Sequence, residues 1–217
     1  MDLPLYIYFI GLSFLASLFS NIKQTAHKLY LKVFPFYLAI TFSIESVGIY
    51  RWSNHLSTAK LYSYFSVFEF IFYFFVFYHE ISGIKARKII RYLTVGYPIL
   101  FFINIFFYQT EGFHSITYSL GCLLVVSLCI YYFFELFQAT HSLVLTREPA
   151  FWICTGLLFF YCCTFPFFAL TNFLTSIPSI IMDNMSSLLN LMNCLLYSLF
   201  TIACLCRIRI RKSMSLF

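Results

Sequence analysis

Seven apolar runs, each about as long as a membrane is thick, constrain this chain more than any other feature. A helix needs about 20 apolar residues to cross a hydrocarbon core of roughly 30 Å, and it must satisfy its own backbone polar groups on the way. Runs meeting that requirement fall at 3–20, 33–50, 61–78, 92–108, 116–138, 151–172 and 186–206. The connectors between them hold most of the charge and the turn formers. Composition agrees: 61% of the residues are hydrophobic and 10% charged, against roughly 25% charged in a soluble domain. So few charges cannot clothe a water-soluble surface. The expected fold class is all-α, a polytopic membrane bundle of about seven transmembrane helices, with residues 1–217 forming a single bundle and no soluble domain. Pro98 and Pro166 fall inside spans, where a kink or local unwinding is expected.

The first run is expected to stay in the mature protein, because a secretory signal opens with a basic region and no Lys or Arg precedes Lys23. Orientation follows from Lys and Arg placement. With the N-terminus outside, the inner face receives Lys23, Lys28 and Lys32, then Lys85, Arg87, Lys88 and Arg91, then Arg147, and finally Arg207, Arg209, Arg211 and Lys212. Only Arg51 and Lys60 of the 14 basic residues fall on the other side. The expectation is a multi-pass protein of the cell (inner) membrane, N-terminus outside and C-terminus cytoplasmic. The basic tail would sit against anionic lipid headgroups. Because the positive charge is scattered between apolar runs, no nucleic-acid partner is expected. The eight cysteines all lie in apolar runs and read as small packing residues rather than a disulfide framework.

Polar residues inside the spans carry what functional information there is. An ionisable group at mid-membrane costs about 2.5–3.5 kcal/mol on insertion scales and usually faces a bundle interior or a cavity. Glu45 and Glu69 are the clearest cases. Tyr37, Thr41, Glu45 and Gly48 fall at spacings of four, four and three, one stripe of a helix, and Ser63, Ser66, Glu69 and Tyr73 form another. Ser186, Asn190, Asn193, Tyr197 and Thr201 make a third, while the fourth span adds Tyr97 and Asn104. Topology puts Glu45, Glu69, Asn104, Asn190 and Asn193 in the outer half at one level. The expected ligand or proton pocket is therefore Glu45, Glu69, Asn104, Asn190 and Asn193, with Tyr73 and Tyr197 beneath. Hydrogen-bonded stapling of helices is the competing role for such residues. Glu135 belongs to a separate inner stripe with Ser127, Tyr131 and Gln138, where it is expected to snorkel or to pair with a loop Arg.

Several chemistries have no matching residues. HExxH, GxSxG and glycine-rich nucleotide loops are missing, and all five histidines are expected in connectors, so no catalytic residue, metal or cofactor is assigned and an enzyme is not expected. The segments Phe113-His114-Ser115-Ile116-Thr117-Tyr118-Ser119 and Arg147-Glu148-Pro149-Ala150-Phe151-Trp152 resemble those of a group of small bacterial seven-helix membrane proteins with no established activity. The architecture as a whole resembles the N-out input bundles of bacterial sensory membrane proteins. That resemblance implies a receptor-like or sensory subunit which signals through a membrane or cytoplasmic partner, without an attached output domain. A transporter or channel for a small solute or proton, and a structural or assembly partner, are the alternatives.

Overall fold

The computed structural model describes residues 3–23, 28–109, 112–138, 145–170 and 179–214, with backbone alone at 170, 179–183 and 207–214. It is all-helical among these residues. The helices are α1 (Leu5–Lys23), α2 (Leu29–Ser53), α3 (Ala59–Glu80), α4 (Ile84–Phe107), α5 (Ser115–Gln138), α6 (Pro149–Leu170) and α7 (Ser179–Met214). Each is long and apolar enough to cross a membrane, α7 through its segment Asn184–Cys206. The protein is therefore a multi-pass membrane bundle. Leu12, Ile99, Phe106 and Phe134 remain exposed on its outer face, where lipid rather than water would meet them.

Successive helices run antiparallel, so the bundle has two unlike ends. The N-terminal end carries the start of α1 and the α2–α3 and α4–α5 connectors. The opposite end carries Lys28, the α3–α4 connector and the start of α6. α7 packs mainly against α1 and α6, and α5 against α6. The α1–α7 seam is stapled by the Ser13 hydroxyl, which donates to the Tyr197 carbonyl at 2.6 Å and meets the Thr201 hydroxyl at 2.8 Å. Thr201, the last position of the α7 stripe, thus serves as glue between helices.

Aromatic side chains fill the middle. Tyr37 lies flat on Phe72, ring centroids 4.1 Å apart, and Phe34 meets Phe200 edge to face at 5.2 Å. Such pairs add about 0.5–1.5 kcal/mol each beyond the area they bury. Gly121 lets α5 approach α3 closely, since a Cβ there would collide with the Phe70 ring. Of the eight free cysteines, Cys122, Cys129, Cys154 and Cys204 are buried, whereas Cys162 is exposed.

Three features differ from the sequence reading. α4 begins at Ile84, not near 92, because the basic stretch Lys85–Arg91 forms its first turns. Glu135 pairs with no arginine among the described residues. Its carboxylate accepts the Ser82 and Gly83 backbone N–H groups, at 2.8 and 3.0 Å, and so caps the positive end of α4. Pro98 and Pro166 lie inside α4 and α6, as their spans place them. α6 opens with Pro at its first position, and Trp152 Nε1 donates to the Thr146 carbonyl at 3.0 Å. His79 lies in the last turn of α3, not in a connector, with Nδ1 2.9 Å from the Phe75 carbonyl. His27 and His141 lie outside the described residues, as do the side chains of Arg207, Arg209, Arg211 and Lys212.

Candidate ligand-binding site

At the N-terminal end the helices part around a cavity of about 970 Å³. Its mouth is formed by Trp52, Leu56 and Ser57 from the α2–α3 connector and by Gln109 and Phe113 from the α4–α5 connector. Glu45, Glu69, Asn190, Asn193 and Tyr197 all line it. The volume falls in the range of small-molecule sites, roughly 300–1,000 Å³.

Both carboxyl groups are held by phenols rather than by cations. Glu45 Oε2 accepts the hydroxyls of Tyr6 at 2.9 Å and Tyr62 at 3.0 Å. Gly48, one turn beyond Glu45, makes the second bond possible: a Cβ at that position would strike the Tyr62 hydroxyl. Glu69 Oε1 accepts the Tyr73 hydroxyl at 2.8 Å and the Tyr37 hydroxyl at 3.3 Å, and the two phenol oxygens lie 2.7 Å apart. Glu45 Oε1 and Glu69 Oε2 form no hydrogen bond among the described residues, although the cavity bathes both side chains. Tyr161 stands beside Glu69 with its hydroxyl fully buried and without a partner.

The two acids do not share one level. Glu69 meets Tyr37, which precedes Glu45 by eight residues on α2, about 12 Å of helix rise. Glu45 therefore marks the upper cavity and Glu69 its floor. Tyr73 lies directly beneath Glu69. Asn193 uses its amide N–H on the Leu189 carbonyl at 2.9 Å, which leaves its side-chain oxygen as an acceptor. Asn104 is not part of the cavity wall. It is buried at the α4–α5 corner and donates to Gln109 Oε1 at 3.0 Å, bracing the residue that forms the mouth.

Sequence reasoning missed most of the wall, including Tyr6, Tyr62, Phe65, Tyr118, Phe160 and Phe168. Two of these carried a readable signal. Tyr62 continues the Ser66, Glu69, Tyr73 stripe one turn outward, and Tyr6, Ile10, Ser13 and Ser17 form a stripe of their own on α1. The remaining aromatics look like any other apolar residue of a membrane helix.

Among the described residues, no Lys, Arg or His lines the cavity. Of the basic residues at this end, Arg51 Nε donates to the Ser57 carbonyl at 3.1 Å, and Lys60 is exposed at the start of α3. His114, just before α5, packs edge-on against Phe101 and its Nδ1 is buried without a partner. Burial, and then the nearby Lys60 charge, hold its imidazole below the usual 6.5.

The floor is closed. Below Glu69 and Tyr73 come Phe34, Phe74, Val76, Phe77 and Phe200, each fully buried. The next carboxylate on α3 is Glu80, eleven residues and about 16 Å from Glu69. There Lys28 Nζ bridges Glu80 at 2.8 Å and Glu148 at 3.5 Å, beside a cleft of about 230 Å³ that Glu135 also lines. No group of three metal-ligating side chains occurs among the described residues. Set against known proteins, the chain matches no family model, no curated protein and no solved structure.

Proposed function

We propose that this protein is a receptor-like membrane subunit whose cavity takes up a small solute from the side of the N-terminus. Lys and Arg placement makes that side the outside of a cell (inner) membrane. One observation supports a receptor over a transporter: a polar cavity that ends on a plug. A conducting path would continue through polar or small residues, whereas here the apolar side chains of Phe34, Phe74, Val76, Phe77 and Phe200 are fully buried between Glu69 and Glu80. A ligand seated on Glu69 presses on Tyr37 and Tyr73, which are packed into this plug, and on Tyr197 of α7. A shift of α7 or α3 would reach the basic inner loops, where a membrane or cytoplasmic partner can read it. Such coupling requires the ligand to bind two packings of the bundle with different affinity.

The test uses sealed vesicles holding the full chain in known orientation. Ser186→Cys, on the cavity wall, is expected to react with an impermeant thiol reagent from the N-terminal side only, and the vesicles should accumulate no solute. Reaction from the opposite side, or solute uptake that Glu69→Gln abolishes, replaces the receptor with a transporter.

A further inference from the structure

We infer that the solute is a small organic primary amine with an apolar body, its ammonium seated on Glu69. This rests on the receptor reading and names the ligand class of the same cavity.

The charges facing the cavity do not balance among the described residues. Glu45 and Glu69 each have one oxygen satisfied by two phenols and one oxygen with no partner among the described residues. Asn193 donates one amide N–H to its own helix, and its side-chain oxygen remains an acceptor. These phenols donate to the acids, so they have no proton left for a ligand. Among the described residues, no cationic side chain lines the wall. The charged groups at the cavity are therefore acceptors, set among neutral hydroxyls and amides such as those of Asn190 and Tyr197, the opposite of what an anion needs. An ammonium supplies three N–H donors and a positive charge. Tyr161 adds a buried hydroxyl without a partner beside Glu69, where a new polar group at the floor could engage it.

The rest of the wall suits the rest of such a molecule. Phe65, Tyr118, Phe160 and Phe168 present ring faces and edges that take an apolar chain or ring and favour a nearby cation. Glu45 lies higher, on the way in, and draws cations toward the floor without needing to touch the same ammonium. The phenol clamps explain why two acids persist without a lysine or arginine: they hold each carboxyl in place and leave its second oxygen for a guest. A metal ion is a poorer fit, because the described residues gather no three-ligand set.

The experiment takes the purified full chain in lipid nanodiscs. Binding is measured calorimetrically for butylamine, 2-phenylethylamine and 1,4-diaminobutane, beside 2-phenylethanol and 3-phenylpropionate. At least one amine is expected to bind at least 10-fold more tightly than the alcohol and the acid. Glu69→Gln should weaken that binding by 10-fold or more, and Glu45→Gln by a smaller factor, with the unliganded melting temperature retained. Binding of the alcohol or the acid at the amine's strength, no binding by any amine, or an unaffected Glu69→Gln protein would overturn the inference. Ser186→Cys separates this failure from failure of the receptor reading. A cationic trimethylammonium thiosulfonate should label it faster than an anionic sulfonate reagent. Equal rates leave a cavity open to small solutes but remove the amine; no labelling by either reagent removes the cavity as a binding site, and both readings with it.

Discussion

The two ends of this bundle handle buried acids in opposite ways. At the closed end, Glu80 is almost wholly buried and is paired by the chain's own Lys28, while Glu135 is satisfied by backbone N–H groups at the start of α4. At the cavity end, Glu45 and Glu69 meet only neutral phenols on one oxygen each. An internal cation locks a carboxylate into the architecture. A phenol orients it and leaves it unpaired. The contrast is between an acid neutralised by the chain's own cation and acids that meet only phenols, even though both look alike in sequence as a lone Glu near an apolar run.

The largest effect that tests this contrast is expected from Lys28→Met. Removing the cation leaves Glu80 buried with an uncompensated charge, a change that costs about 3–5 kcal/mol for a fully buried pair. Lys28 is about one-third exposed, so a value near 2–3 kcal/mol is expected in equilibrium unfolding from mixed micelles. The double change Lys28→Met with Glu80→Gln should recover most of it. Amine binding at the far end should not move. A loss below about 0.5 kcal/mol would place the Lys28 pair among surface ion pairs and erase the distinction between the ends.

Gly48→Ala comes next and acts on the cavity end. The added methyl meets the Tyr62 hydroxyl, so either Tyr62 leaves Glu45 or α2 and α3 move apart. Overpacking of this kind costs about 1–3 kcal/mol. The same variant should alter amine binding, whereas Gly121→Ala, which collides with Phe70 in the packed middle, should destabilise by a similar amount and leave the relative affinities of amine and alcohol unchanged. If both glycine variants change ligand preference alike, the cavity is not a separable region.

Tyr73→Phe should be milder. The ring stays, while the hydroxyl that donates to Glu69 and contacts Tyr37 is lost. A net cost of about 1 kcal/mol is expected. The more telling readout is binding: with one clamp gone, Glu69 is less well oriented and the amine should bind several-fold more weakly. An unchanged affinity would show that Tyr73 only supports the floor.

How much of this was legible in the sequence follows from what membrane burial does to residue choice. The helices were, because a bilayer demands about 20 apolar residues per crossing, and the charges that end each run have nowhere else to go. Glu45 and Glu69 were, because an acid in such a run is rare and costly. The start of α4 was not: Lys85–Arg91 reads as a connector, and only Glu135, some fifty residues later, supplies the cap that extends the helix. Asn104 lay on the right end of the right helix but turned to the α4–α5 corner, since a lone polar residue does not announce its face. The aromatic wall was illegible for a related reason. In a chain where Phe and Tyr are everywhere, a ring that faces a cavity and one that faces lipid obey the same composition.

The smallest effect concerns the rim. His114 stands at the N-terminal end just before α5, its ring against Phe101 and its Nδ1 buried without a partner, while its backbone N–H donates to the Ser63 hydroxyl at 3.1 Å. Burial first, and then Lys60, hold its imidazole below the ordinary 6.5 in the folded protein. Below pH 6.5 the unfolded chain therefore takes up a proton that the folded chain refuses. Stability falls with acidification through that window, and it levels off once the pH drops below the folded value. Other groups titrate over the same range, so the comparison with His114→Phe isolates this one. Phenylalanine keeps a ring against Phe101, leaves the backbone bond to Ser63 in place and cannot accept a proton. Thermal unfolding between pH 7.5 and 5.5 should show the parent losing more stability on acidification than the variant, by an amount smaller than any of the effects above. Equal losses would mean that the His114 ring is already solvated when folded, and a larger loss in the variant would reverse the sign and place an acid, not Lys60, beside it. In either case the rim at the cavity end would be more open than its packing against Phe101 implies.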